Sequence, residues 1–451
     1  MFRNKRRRLF AKLGLLLCIL IIFSSSFNAA SVKATTDEFQ IGIFFAPTWN
    51  YTNATQYDYI KDAHVNFIQT FYPNDLGMST EQQMNTVLSL AGERGIKVQV
   101  SDYRSANLTD ENIDAITAAY KDNIATGGYY VWDEPSASSF SHLARAYNRF
   151  LQNDPDCVPN VNLFPMFGPI GAPSYMDYVN WWIDSVGRNN LKYLSFDNYA
   201  FIYGYTYRDD YYQNLEYIRS AGISRNVRTA CYLQAVGLPQ ANMRRPVENE
   251  MRFDVYSALA YGMKAVYWFT WFQPVIPGYN FSPAIMDANG NKTDLYTPVQ
   301  TLNSQIKKLG PTLMGLTSCS VFHKGTLPLG TIAVPADFFW QPTTSYNQII
   351  SHFVDENNRS YVMVVNRDTA NSRTLSFNLP SKPAAVTEVS KTTGSEVATN
   401  YNSSTGNLSA TFLPGEGKLY AISSDYSAPG RIINDTDPEI VYSGSTWGYN
   451  K

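Results

Sequence analysis

From residue 39 to about residue 316, short apolar runs alternate with longer amphipathic stretches. The runs Phe39–Pro47, His64–Pro73, Ile96–Tyr103, Gly128–Glu134, Val161–Phe167, Leu191–Tyr199, Val227–Gln234 and Ala265–Phe272 read as buried strands. Helical spacing marks Thr80–Arg94, with Thr80 as N-cap and Gly95 as stop. It also marks Asp110–Lys121, Ser136–Asn153, Tyr211–Ala221 before Gly222, and Asn249–Tyr261 before Gly262. Eight strands with crossovers in about 280 residues predict an α/β fold, a (β/α)8 or TIM barrel, over residues 35–316. An open doubly wound sheet is the competing arrangement, but no Gly-rich phosphate loop follows the first strand.

After Leu316 the period shortens. Asn347–Val354, Ser360–Asn366, Arg373–Asn378, Val386–Ser390, Leu408–Phe412 and Lys418–Ser423 are strand-like and separated by turn residues. They predict a smaller all-β sandwich over residues 317–423. A Ser/Pro/Gly linker then opens the segment 424–451.

Composition narrows the partners. Only 16% of the 451 residues are charged and the net charge is −2, which gives nucleic-acid binding no electrostatic footing. Tyr and Trp are abundant, at 32 and 8 residues. Their faces suit the C–H surfaces of sugars, although most such residues simply pack a core. Residues 1–34 follow the order of a secretory signal: a basic start, an apolar run from Leu13 to Phe23, then small residues up to Ala34. The apolar run is too short to span a bilayer. The expectation is a secreted or cell-surface protein with no transmembrane span after cleavage. Cys157, Cys231 and Cys319 would then remain, too few and too odd for a disulfide framework. No Cys/His cluster has zinc spacing and no acidic loop has calcium spacing, so neither metal nor cofactor is expected.

Candidate chemistry gathers at the predicted strand ends. The fourth strand runs Tyr129-Tyr130-Val131-Trp132 into Asp133-Glu134-Pro135, two acids stopped by a proline. Buried acids are costly unless they are used. In a barrel that end is the catalytic pole. Other strand ends offer Trp49, Tyr72, Asp102, Asp197 with Tyr199, Gln234 and Trp271. A ring of carboxylate, amide and aromatic groups suits a carbohydrate. Arg104 is a candidate reader of an acidic sugar.

These residues carry a resemblance. Asp133-Glu134-Pro135 resembles the Asn-Glu-Pro acid/base strand of clan A glycoside hydrolases. Tyr256–Trp271, Gly310–Met314 and the Leu413–Gly417 turn are similar to the family 42 β-galactosidase type. That resemblance implies Glu134 as general acid/base. It also implies a nucleophilic Glu at the end of the seventh strand, where this chain has Gln234. Either Asp197 supplies the second carboxylate, or Asp133 does. The Asp-Glu pair is also similar to families 123 and 20, hexosaminidases in which the Asp holds a 2-acetamido N–H and a Tyr, here Tyr199, bonds the acetamido oxygen. A catalytically silent carbohydrate-binding barrel is the alternative of another class. The segment Ile433–Trp447 resembles the opening strands of galactose-binding-like modules; the 19 residues from Ile433 to Lys451 are too few to form one, so the expectation is either the start of a truncated carbohydrate-binding module or a vestigial tail.

Overall fold

A computed structural model describes residues 38–70 and 80–426. The expected signal, Tyr72 and the tail after residue 426 lie outside the described residues.

Eight parallel strands close into a barrel in chain order. They are β1 (Gln40–Phe44), β2 (Phe67–Gln69), β3 (Lys97–Val100), β4 (Thr126–Asp133), β5 (Val158–Leu163), β6 (Leu194–Phe196), β7 (Thr229–Gln234) and β8 (Ala265–Phe269). β1 pairs with β8 from Gln40 opposite Ala265 to Phe44 opposite Phe269, which shuts the ring. The outer layer is α1 (Ala54–Asp62), α2 (Glu81–Gly92), α3 (Asp110–Tyr120), α4 (Phe140–Asn153), α5 (Tyr175–Val186), α6 (Tyr211–Arg225), α7 (Glu248–Ala260) and α8 (Tyr296–Met314).

Strand alternation sorts the core in two. Ile41, Ile43, Ile68, Val98, Val100, Val161, Leu163, Leu194, Phe196, Cys231, Leu233, Val266 and Trp268 point outward into the helix layer. Phe44, Phe67, Ala230, Tyr232, Ala265 and Tyr267 fill the barrel's inside. The inside is partly polar, and its hydroxyls are matched: Tyr232 donates to Gln69 Oε1 at 2.7 Å and Tyr267 to Gln40 Oε1 at 2.7 Å. Gly42 is required there, since a Cβ would sit 2.2 Å from the Tyr267 ring.

Thr80 caps α2 in a reciprocal box with Gln83, as its position predicts. Gly222 does not stop α6. The helix runs on to Arg225 and ends at Asn226 in the left-handed region. Gly222 instead permits close packing, because a Cβ there would meet Thr229 Cγ2 at 2.4 Å.

β9 (Thr317–Lys324) opens the second lobe, followed by β10 (Gln341–Pro342), β11 (Gln348–Val354), β12 (Ser360–Asn366), β13 (Arg373–Asn378), β14 (Val386–Val389), β15 (Glu396–Ala398), β16 (Asn407–Phe412) and β17 (Gly417–Ile422). A six-stranded sheet, β15-β14-β17-β12-β11-β9, faces a three-stranded one, β10-β13-β16. Ile350, Val362, Val364, Tyr420 and Ile422 join Trp340, Leu375, Phe377 and Phe412 between the sheets. The other face of the wide sheet, including Ile349, Phe353, Met363, Val365 and Leu419, merges with the barrel's outer core. α7 lies beneath that face and is buried along nearly its whole length from Glu250 to Ala260. Cys157 and Cys231 are buried free thiols, and Cys319 is also free.

Candidate active site

The site begins with an irregularity in β4. Pairing with β5 runs Tyr130 to Asn160, then Trp132 to Val161, then Asp133 to Asn162. Val131 is the extra residue of a bulge. Plain alternation would put Asp133 opposite in sense to Tyr130. The bulge resets the parity and turns Asp133 inward beside Asn162. Asn162 Nδ2 then donates to Asp133 Oδ1 at 3.1 Å, while Asn162 Oδ1 accepts from Ser195 Oγ at 3.2 Å. The amide is thereby fixed between β4 and β6.

Glu134 follows with φ 50°, a left-handed conformation rare for a residue with a branched-off carboxyl chain. Its N–H donates to Asn162 O at 2.8 Å. Behind it the Tyr178 hydroxyl donates to Pro135 O at 2.7 Å and accepts from Phe164 N at 3.2 Å. These bonds offset the roughly 1 kcal/mol or more that such a backbone costs, and they hold the Glu134 side chain over the barrel mouth.

Asp197, one residue past β6, completes a group of three acids. It is 6% exposed, and its Oδ1 is buried without a donor. Glu134 and Asp197 are within hydrogen-bonding reach of each other, and Tyr199 bonds the Asp197 carboxyl. No cation figures among the influences on any of the three. Burial is the largest cause and pushes Asp133 up to about 6, against the Asn162 bond. Burial, then the neighbouring Asp133 charge, raises Glu134 to about 7. Burial, then Glu134 and Asp133, raises Asp197 well above the usual carboxylate range. Near neutrality this leaves at least one protonated carboxyl beside a carboxylate, which is the condition for proton donation.

Four expected contacts are placed differently. Gln234 is 0% exposed; its Nε2 donates to Phe201 O, Val236 O and Arg244 O, and its Oε1 accepts from Phe201 N. It ties two loops together and touches no open space. Asp102 is also fully buried, gripped by Arg104 and the Tyr120 hydroxyl at 2.9 Å. Arg104 is therefore spent on Asp102 and Glu81 and is no reader of an acidic sugar. Trp271 is packed edge-on to Tyr296 at 5.9 Å with no exposed face. Trp49 remains half-buried in a short turn after β1, at the correct pole. Tyr199 remains half-buried and stacks on Phe269 at 4.7 Å, beside Asp197.

Sequence reasoning passed over Asn162, Ser195, Tyr178 and Phe269. Asn160 and Asn162 alternate within β5, which was the available signal. It was hidden by setting that strand three residues too late. The loops after β3, β5, β6 and β8 also carry exposed aromatics, Tyr103, Phe167, Tyr203, Tyr205 and Tyr279, and Trp132 is exposed near the end of β4. Among the described residues no group of three His, Cys, Asp or Glu side chains is arranged to hold a metal, and no helix is long and apolar enough to cross a membrane.

No protein-family model and no curated protein matches the chain. Among solved structures, it is similar to a β-galactosidase from Bacillus circulans sp. alkalophilus, at 8% identity and TM-score 0.54 over 86% of this chain and 99% of that one. It is similar to a family 5 glycoside hydrolase from Bacteroides vulgatus, at 12% identity and TM-score 0.53 over 88% and 91%. Against a β-galactosidase from psychrophilic Marinomonas ef1 it spans 62% of that protein's length and 61% of its own, at 10% identity and TM-score 0.47. At such identities the shared property is the fold: a barrel of eight parallel strands followed by an antiparallel domain.

Proposed function

We propose that this chain is a glycoside hydrolase acting on a neutral oligo- or polysaccharide, with Glu134 as general acid/base and Asp197 as the second carboxyl. The observation that carries the reading is the trio of inward carboxyls at the barrel mouth, with no cation among the groups that shift them. The glycoside hydrolases among the structural relatives support it, as do the aromatics around the same pole. Protonated Glu134 would donate to the leaving glycosidic oxygen. Asp197 carboxylate would bond the anomeric carbon as the C–O bond breaks. Water would then displace Asp197, giving its proton back to Glu134. The mutual influence of the two carboxyls on each other's ionisation supports the ~5 Å spacing of a retaining pair over the ~6.5–9.5 Å of an inverting one.

Arginines at the mouth are each paired with an acid of their own: Arg104 with Asp102, Arg208 with Asp210, Arg244 with Glu250, Arg245 with Asp294. That balance supports a neutral sugar over a uronic or sulfated one. A second reading keeps Asp133 and Glu134 as a substrate-assisted pair for 2-acetamido sugars. It is favoured by Asp133 being less buried than Asp197 and oriented by Asn162. The N-terminal pattern supports secretion or surface display.

The test is a panel of aryl glycosides with and without a 2-acetamido group, assayed on the parent, Glu134→Gln, Asp197→Asn and Asp133→Asn. Glu134→Gln is expected to lose about 10²–10⁴ in rate. Turnover at the parental rate sinks the proposal. Loss confined to Asp197→Asn supports the first reading; loss confined to Asp133→Asn, with 2-acetamido substrates only, supports the second.

A further inference from the structure

Phe167 is an apolar ring held open at the catalytic pole. It lies in the loop between β5 and α5, and β5 is the strand flanked by β4 with Glu134 and β6 with Asp197. The ring is 54% exposed. The Arg208 guanidinium lies over it, 3.8 Å from its centroid. Arg208 does not wander: its Nε donates to Asp210 Oδ1 at 3.1 Å, its Nη2 to Asp210 Oδ2 at 3.4 Å, and its backbone N–H to Ala200 O at 2.8 Å. Asp210 in turn accepts from Asn198, the residue after Asp197, at 3.4 Å. On its other flank the same loop is tied to the turn that follows the acid/base strand, where Ala137 N donates to Ile170 O at 2.9 Å. The loop thus spans the two acid-bearing strands, and the ring's carrier is fixed on both sides.

A lone exposed aromatic needs no explanation. A ring whose angle is set by a clamped cation is a different object. Cation–π contact fixes one face and leaves the other for a flat apolar partner. The C–H face of a pyranose is such a partner, and pre-ordering lowers the entropy lost on binding it.

We propose that Phe167 is a stacking platform for one sugar unit of a chain longer than the unit being cleaved, a substrate-binding subsite held by Arg208 and Asp210. The proposal rests on the glycosidase reading for the identity of the ligand. It extends that reading from a single bond to an oligomeric substrate.

The experiment measures binding rather than turnover. Glu134→Gln protein, which prevents hydrolysis, is titrated calorimetrically with unbranched di- and hexasaccharides of the cello, xylo, manno, galacto and chito series. At least one hexasaccharide is expected to bind more tightly than its disaccharide. Adding Phe167→Ala is expected to weaken that hexasaccharide up to about tenfold while leaving the disaccharide unchanged. Phe167→Trp keeps the affinity. Arg208→Met, which frees the ring, gives a smaller loss of the same selectivity. Unaltered hexasaccharide affinity in Phe167→Ala, equal losses for both lengths, or no binding of any hexasaccharide overturns the platform. The glycosidase reading fails separately, through absence of turnover by the parent on every glycoside of the panel, and that result leaves the binding comparison readable.

Discussion

Asp133→Asn isolates the electrostatic part of the site. The exchange keeps the shape of the side chain and its ability to accept from Asn162, and removes one negative charge beside Glu134. Glu134 is raised from 4.5 to about 7, by burial first and by Asp133 second. Asp133 is the second of the two causes that raise it, and a share on the order of one pKa unit is worth about 1.4 kcal/mol. A general acid works protonated, so activity falls as pH rises through its pKa. Removing Asp133 lowers that pKa, and the alkaline limb of kcat/KM moves from about pH 7 toward about pH 6. The assay is kcat/KM against pH with a phenyl glycoside, whose poor leaving group makes the proton donor matter. An alkaline limb that stays in place or moves up refutes the reasoning. A collapse of about 10³ at every pH instead assigns Asp133 to the chemistry itself.

The same variant carries a stability test. Asp133 has a folded pKa of about 6 against 3.8 when free, so the unfolded chain ionises first and folding loses stability as pH rises between those values. Asp133→Asn is expected to be more stable than the parent near pH 7, by on the order of 1–3 kcal/mol, with the gap closing near pH 4; urea midpoints at both pH values read it. Gln234→Glu, which writes the clan's usual seventh-strand acid into this chain, aims a carboxylate at three carbonyl oxygens. It is expected to cost about 3–5 kcal/mol and to confer no activity, whereas a parental melting temperature with a gain in rate overturns that account of Gln234.

Much of the architecture was legible because barrel strands buried on both faces read as short apolar runs. Six of the eight observed strands begin and end within three residues of the predicted bounds; the predictions for β2 and β5 run four residues past Gln69 and Leu163. α1, α5 and α8 were not read, and α8 carries Pro311 within it, a residue that interrupts a helical pattern. β9, β10 and β15 were also missed; β10 is two residues long and β15 is exposed throughout. In the site, Asp133, Glu134 and Asp197 were legible as acids at strand ends. Their gathering at one pole followed from a closed barrel; the inward turn of Asp133 was not legible, because it depends on the β4 bulge, and one extra residue leaves no mark in a pattern of alternation. Gln234, Asp102 and Trp271 were misread for a related reason: a polar or aromatic residue at a strand mouth looks the same whether it faces a ligand or anchors a neighbouring loop.

The burial of α7 under the wide sheet bears on how this protein is made. On the ribosome the barrel's last crossover emerges long before β12 and β17, whose side chains are to cover it. More than 150 residues separate Ala260 from Ile422. Until they arrive, Tyr256, which packs against Gly417 and under the Lys391 ammonium, lacks its shelter, and a nascent barrel exposes a sticky seam. Barrel and sheet lobe are therefore expected to fold as one unit, with the ring of strands fully covered only when the chain's far end closes over it.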